Sequence, residues 1–133
     1  MSGGFAMKNP GVTGALLVTE GYPTALSSLS ELLRYEGYRV IEAADTHAAI
    51  SHIDANRDLA AVLADLDMPN WKLLLQHASV IVPKAFVLGM AQLQSMPESS
   101  ELQHRGIQLC LAKPLVFQDL RQALRRGLSG AVT

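Results

Sequence analysis

The chain has 133 residues, 49% of them hydrophobic and 17% charged, which suits one globular domain with a good core and excludes a disordered chain. Eleven basic against twelve acidic residues, a formal net charge of −1, leave no basic stripe of the kind nucleic-acid binding needs. No apolar run approaches the length that spans a bilayer, so neither a nucleic acid nor a membrane is an expected partner.

The start, Met1 to Met7, has no basic segment leading into an apolar stretch and reads as a flexible tail, not a signal peptide. Ala15 to Val18 is a continuous apolar run, as expected of a strand covered on both faces. Pro23 suits the first turn of a helix whose apolar positions fall at Leu26, Leu29, Leu32 and Leu33, and Gly37 is a natural stop. Tyr38 to Ala43 reads as a second strand. Asp45 or Thr46 caps a second helix with Ala49, Ile50 and Ile53 inward. Leu59 to Ala64 is a third strand, apolar throughout and therefore central, and it delivers Asp65-Leu-Asp67-Met-Pro69 at its end.

Trp71 to Ala78 predicts a short helix, Ala85 to Leu88 a fourth strand ended by Gly89, and Pro97 to Arg105 a short polar helix. Met90 and Met96 flank a mobile-looking stretch, Ala91 to Ser95, and read as packing residues. Ile107 to Ala112 is a fifth strand carrying the single cysteine, Cys110, which excludes an internal disulfide, accords with a reducing, cytoplasmic compartment and reads as core. Phe117, Leu120, Leu124 and Leu128 mark a last helix, where Arg121, Arg125 and Arg126 form a small basic cluster on its solvated face. The four histidines, His47, His52, His77 and His104, are scattered without metal-ligand spacing.

Five strand–helix units in series imply a parallel sheet with helices on both faces and right-handed crossovers. Such sheets place their working site outside the strand C-termini. The polar residues ending strands are Thr19 and Glu20, Asp65 and Asp67, and Lys113, so they are expected to converge on one rim.

Leu16 to Glu20, then Asp65-Leu-Asp-Met-Pro69, then Ala112-Lys113-Pro114-Leu115, in order and spacing over residues 14–129, resemble the receiver domain of two-component response regulators. Glu36-Gly-Tyr38 and Arg105-Gly106 also sit where such domains carry similar residues. The resemblance implies a flavodoxin-like α/β fold, a doubly wound (βα)5 unit with strand order 2-1-3-4-5, flanked by tails at residues 1–13 and 130–133. It implies Asp65 as the acceptor of a phosphoryl group from a histidine kinase and Lys113 as the residue contacting that group. It implies Mg²⁺ held by Glu20, Asp65 and the backbone carbonyl of Asp67.

Departures from the family pattern qualify those roles. Thr19 replaces the first member of the acidic pair, which removes a charge and predicts weak Mg²⁺ binding. Gly89 aligns with the hydroxyl residue that reports phosphorylation, and Cys110 with the aromatic residue that follows it inward. The turn after Met68-Pro69 is shortened to Asn70-Trp71-Lys72, and Trp71 is expected to cover it from inside or to anchor a contact. The expectation is an atypical receiver: a non-enzymatic interaction module in two-component signalling, with a homodimer through the last helix compatible with it. The alternative is a working phospho-receiver. A more distant one, a haloacid-dehalogenase-type phosphatase, shares Asp65-Leu-Asp67 but normally carries that motif after its first strand.

Overall fold

The computed structural model describes residues 11–129. The elements run β1 (Leu16–Thr19), α1 (Pro23–Tyr35), β2 (Val40–Ala43), α2 (Thr46–Ala55), β3 (Ala61–Asp65), α3 (Trp71–Ile81), β4 (Phe86–Gln92), a 3₁₀ turn (Leu93–Ser95), α4 (Ser99–His104), β5 (Leu109–Lys113) and α5 (Phe117–Ser129). The five strands are parallel, in the order β2-β1-β3-β4-β5. This is the expected flavodoxin-like α/β order. Of the expected tails, 1–10 and 130–133 lie outside the described residues.

The sheet sorts its side chains by the two-residue period of a strand. Leu16 and Val18 of β1, Ala61 and Leu63 of β3, and Leu88 and Met90 of β4 pack with Leu26 and Leu33 of α1 and with Leu120, Leu124 and Leu128 of α5. Leu17, Val62 and Ala64 face the other way, against Ala49 and Ile53 of α2 and Leu74, Leu75 and Ala78 of α3. With apolar residues on both faces, the inner strands read as unbroken apolar runs. Burying each of these Leu or Ile side chains stabilises the fold by about 1.5–3 kcal/mol.

Local signals set the helix ends. Pro23 opens α1, and Gly37, at φ 101°, turns the chain out of it. Asp45, not Thr46, caps α2 by accepting the Ala48 amide at 2.8 Å, while the Thr46 hydroxyl donates to the Pro69 carbonyl at 2.7 Å. Asn70 starts α3 in the left-handed region at φ 65°.

Three expectations need correction. Leu32 is 45% exposed, because the inward stripe of α1 passes through Leu26, Ser30 and Leu33. β4 does not end at Leu88; it continues to Gln92, so Gly89 sits inside the strand, paired with Ala64 and Cys110. Cys110 is only half-buried, because β5 is an edge strand. Met90 is fully buried and Met96 packs partly against the core, as expected.

Two positions test this packing. A Cβ on Gly14 would overlap the backbone carbonyl oxygen of Asp58, so Gly14→Ala should cost about 2–3 kcal/mol in urea unfolding. The fully buried Ser30 hydroxyl has no hydrogen-bond partner, so Ser30→Ala should be neutral or stabilise by up to about 1 kcal/mol in the same measurement.

Candidate functional site

Four expected site residues meet at the C-terminal rim of the sheet. Asp65 ends β3, Glu20 follows β1, Asp67 lies two residues past Asp65, and Lys113 ends β5. The Lys113 ammonium lies 2.6 Å from Asp65 Oδ1, 3.3 Å from Asp67 Oδ2 and 3.5 Å from Glu20 Oε2. It therefore reaches across the end of β4 to the two central strands. Burial favours the neutral amine and pushes the Lys113 pKa down. The hydrogen bond and charge of Asp65, the charge of Glu20 and the hydrogen bond to Asp67 outweigh burial and hold it above the ordinary lysine value.

Asp65 is almost fully buried and its carboxylate is held in place. Oδ2 accepts the Gly21 amide at 3.1 Å, and Oδ1 accepts the Asp67 amide at 2.9 Å besides Lys113. Glu20 is 6% exposed, and its Oε1 accepts the Tyr22 amide at 3.2 Å. Each loop after β1 and β3 thus folds back onto its own acidic residue.

Thr19 takes a part that residue-type reasoning did not anticipate. Its buried hydroxyl donates to the Leu63 carbonyl at 3.0 Å and accepts the Asp65 amide at 2.8 Å. It is a strut between β1 and β3 that fixes the backbone of Asp65, and its oxygen is already committed.

Asp67 turns its carboxylate, not only its backbone, into the site. Oδ2 accepts the Gln92 amide at 2.9 Å and Oδ1 accepts the Ser95 hydroxyl at 2.5 Å. Partial burial raises the Asp67 pKa, but these hydrogen bonds and Lys113 together hold its carboxyl below the ordinary carboxylate value. Gln92 and Ser95 were not among the expected site residues. The stretch that reads as mobile in sequence is the end of β4 plus a 3₁₀ turn, tied down by Asp67.

The carboxylates of Glu20, Asp65 and Asp67 are hard oxygen donors of the kind Mg²⁺ prefers. As arranged they do not fit the ion, because the Lys113 ammonium stands among them. Among the described residues no three His, Cys, Asp or Glu side chains form a metal-holding group. The histidines stay outside: His77 bonds Asp54 at 2.8 Å between α3 and α2.

Gly89 and Cys110 bring no side-chain hydroxyl to this end of the sheet. Gly89 lies where a Cβ would be 3.0 Å from Leu66 and 3.3 Å from both Ile107 and the Cys110 sulfur. That space is already filled by neighbours. Desolvation, then the nearby Asp67 charge, pushes the Cys110 thiol pKa up, away from reactivity. Trp71 is partly buried against the core at the start of α3, with the Lys72 ammonium 5.6 Å from its ring centroid.

No protein-family profile matches the chain, and no curated protein matches it. Solved structures do. A response regulator receiver domain from Clostridium thermocellum superposes with a TM-score of 0.81 at 21% identity, covering 89% of this chain and 96% of that one. A CheY-like receiver domain from Methanospirillum hungatei gives 0.81 at 22%, covering 89% and 95%. The receiver domain of a Pseudomonas aeruginosa sensor histidine kinase, solved with magnesium in its active-site cleft, gives 0.74 at 20%, covering 88% and 99%. The chain has the CheY-like receiver fold.

The central cation can be tested directly. Lys113→Met leaves three carboxylates facing one another and should cost about 2–3 kcal/mol at pH 7. That is less than the ~3–5 kcal/mol for breaking a fully buried pair, because the lysine side chain is 17% exposed. The sign of the pH dependence follows from Asp67. Its folded pKa lies below the ordinary 3.8, so its contribution is present above that value and is lost as pH falls through the folded pKa. In the variant, protonation relieves the repulsion instead. Urea unfolding from pH 5 to pH 2 should therefore show the gap between the two proteins narrowing.

Proposed function

We propose that this chain is an atypical receiver domain of a two-component pathway. On this reading it is a non-enzymatic signalling module that works through contacts with other signalling proteins, with impaired Mg²⁺-dependent phosphorylation at Asp65. The observation that carries the reading is the Lys113 ammonium among Glu20, Asp65 and Asp67 at the strand ends of a receiver fold. A phosphoryl acceptor must shed the repulsion between its carboxylate and the incoming anion, and the cation nearest Asp65 here is the lysine. A single ammonium shared by three carboxylates leaves the pocket acidic, which opposes an approaching phosphoryl group. Thr19 adds no carboxylate, and its hydroxyl is bonded to β3.

The partner is a histidine kinase or another protein of the pathway. The surface that suits such a partner is the side of β5 and α5. Leu109 and Val116 are exposed there, and Arg125 and Arg126 point to solvent. Arg121 belongs less to that surface, since it bonds Glu36 at 3.2 Å and ties α5 to the end of α1. An apolar patch with a basic rim fits a partner bearing acidic groups around an apolar centre. A second copy of the chain docking through α5 is an alternative occupant of the same face.

Two measurements decide between this reading and a working phospho-receiver. The full chain is incubated with Mg²⁺ and acetyl phosphate, or with beryllofluoride, while Trp71 fluorescence is followed. The expected result is no saturable change at high millimolar Mg²⁺; a saturable change abolished by Asp65→Ala would establish the phospho-receiver instead. Thr19→Asp should lower stability, by about 2–3 kcal/mol, because it breaks the strut and buries a charge. It should also acquire Mg²⁺-dependent thermal stabilisation that the parent lacks. Turnover of a small phosphoester, the mark of a phosphatase, is expected of neither.

A further inference from the structure

The surface assigned to a partner above lies on the side of β5 and α5. The other helical layer, formed by α2 and α3, carries a second feature that neither the fold nor the rim site accounts for. We propose that the outer face of α3, from Trp71 to Lys84, is a docking groove for an amphipathic helix of another protein, one with an apolar stripe flanked by acidic side chains. The inference goes beyond the receiver reading and does not depend on phosphorylation.

Helical period places the feature. α3 turns Leu74, Leu75 and Ala78 into the core, which sends Leu73, Gln76 and Val80 to the far side. Leu73 is 53% exposed and Val80 72% exposed. Seven residues apart, they stand in one line about 10 Å long on the helix axis. A single exposed aliphatic side chain is ordinary, but two in line beside a cavity form a patch. That cavity, about 490 Å³ and open to solvent, is bounded by Asn70, Trp71, Lys72, Leu73 and Gln76. It has room for an apolar side chain from outside, and Trp71, which rests on the core, gives it a rigid wall.

Charge selects the occupant. α3 carries no Asp or Glu, while Lys72 stands in its first turn and Lys84 three residues beyond its end, both exposed. The Glu101 carboxylate of α4 lies 4.0 Å from Lys72 but is bonded to Arg105 at 2.8 Å, so the ammonium keeps donors for another acid. On the flank toward α2, Asp54 is occupied by His77 at 2.8 Å. A second copy of this chain does not suit the face. A two-fold axis would lay α3 on its mate and bring lysines against lysines, with no acid on either helix to offset them. A lipid surface does not suit it either, because the face is hollowed beside Trp71 and offers only two cations. A helix with Leu-type residues facing Leu73 and Val80, and with Glu or Asp on its flanks, meets both requirements.

The probe is a helical peptide with Leu along one face, Glu on both flanks and no tryptophan. Trp71, the one tryptophan of the chain, reports binding by fluorescence. The full chain should show a saturable emission shift with this peptide and none when Lys replaces each Glu. Leu73→Ser and Val80→Ser, both surface changes, should each weaken binding about 10-fold, the loss of one well-buried aliphatic contact. Lys72→Glu combined with Lys84→Glu should abolish binding of the Glu peptide and confer binding of the Lys peptide. Leu109→Ser, on the β5 side, should change nothing. Amide spectra of the same titration should confine the changes to Asn70–Lys84 and their neighbours.

No saturable shift with the Glu peptide, equal binding of both peptides, or binding indifferent to Leu73→Ser and Val80→Ser overturns the proposal. Self-association of the chain that Val80→Ser disrupts in sedimentation would assign the face to a second copy and overturn it too. A Trp71 shift on phosphatidylserine vesicles would assign it to a membrane surface, with the same consequence. None of these measurements uses a phosphodonor or a metal ion, so failure here leaves the receiver reading standing.

Discussion

The ion pair between Lys113 and Asp65, extended to Glu20 and Asp67, is the constraint around which the working end of this domain is arranged. A parallel sheet leaves its strand ends splayed toward solvent, and acidic residues gathered there repel one another. A cation delivered by the edge strand β5 to the central strands offsets that repulsion and spans the end of β4. The geometry of the surrounding loops follows. The Gly21, Tyr22 and Asp67 amides turn back to the carboxylates of Asp65 and Glu20, and the Gln92 amide closes on Asp67, the most solvent-facing of the three. Charge-assisted hydrogen bonds of this kind are shorter and stronger than neutral ones, so the loops are set by the charge they enclose.

Thr19 and Gly89 have structural parts that their residue types alone do not disclose. Read as residue types, they are a missing carboxylate and a missing hydroxyl. In place, the Thr19 hydroxyl bridges Leu63 and Asp65 where the β1–β3 ladder runs out, and Gly89 makes room for Leu66, Ile107 and Cys110. A carboxylate in place of Thr19 or a side chain in place of Gly89 would disturb a hydrogen-bonded or packed arrangement.

Most of the fold was legible in the sequence because its signals are local or periodic. Apolar runs marked the inner strands, Pro23 and Gly37 bounded α1, and the order of Glu20, Asp65 and Lys113 placed the rim. What was not legible depends on register and on contacts distant in sequence. The apolar run of β4 stops at Leu88, but pairing with β5 and the Asp67 carboxylate carry the strand on to Gln92. Cys110 reads as core until β5 is seen to be an edge. Ser95 carries no sequence signal at all. A serine in a polar turn is ordinary, and only the fold brings it to Asp67, twenty-eight residues away.

The same contrast bears on how such a domain signals. A relay through a buried hydroxyl and an aromatic rotamer requires space inside the sheet for a side chain to move. Here that space is occupied, since a Cβ at Gly89 would already press on three neighbours. A signal leaving Asp65 along the interior would have to displace packed core, which costs more than rearranging solvated groups. The rim, where Lys113 and Asp67 meet the end of β4, is held by hydrogen bonds and one ammonium.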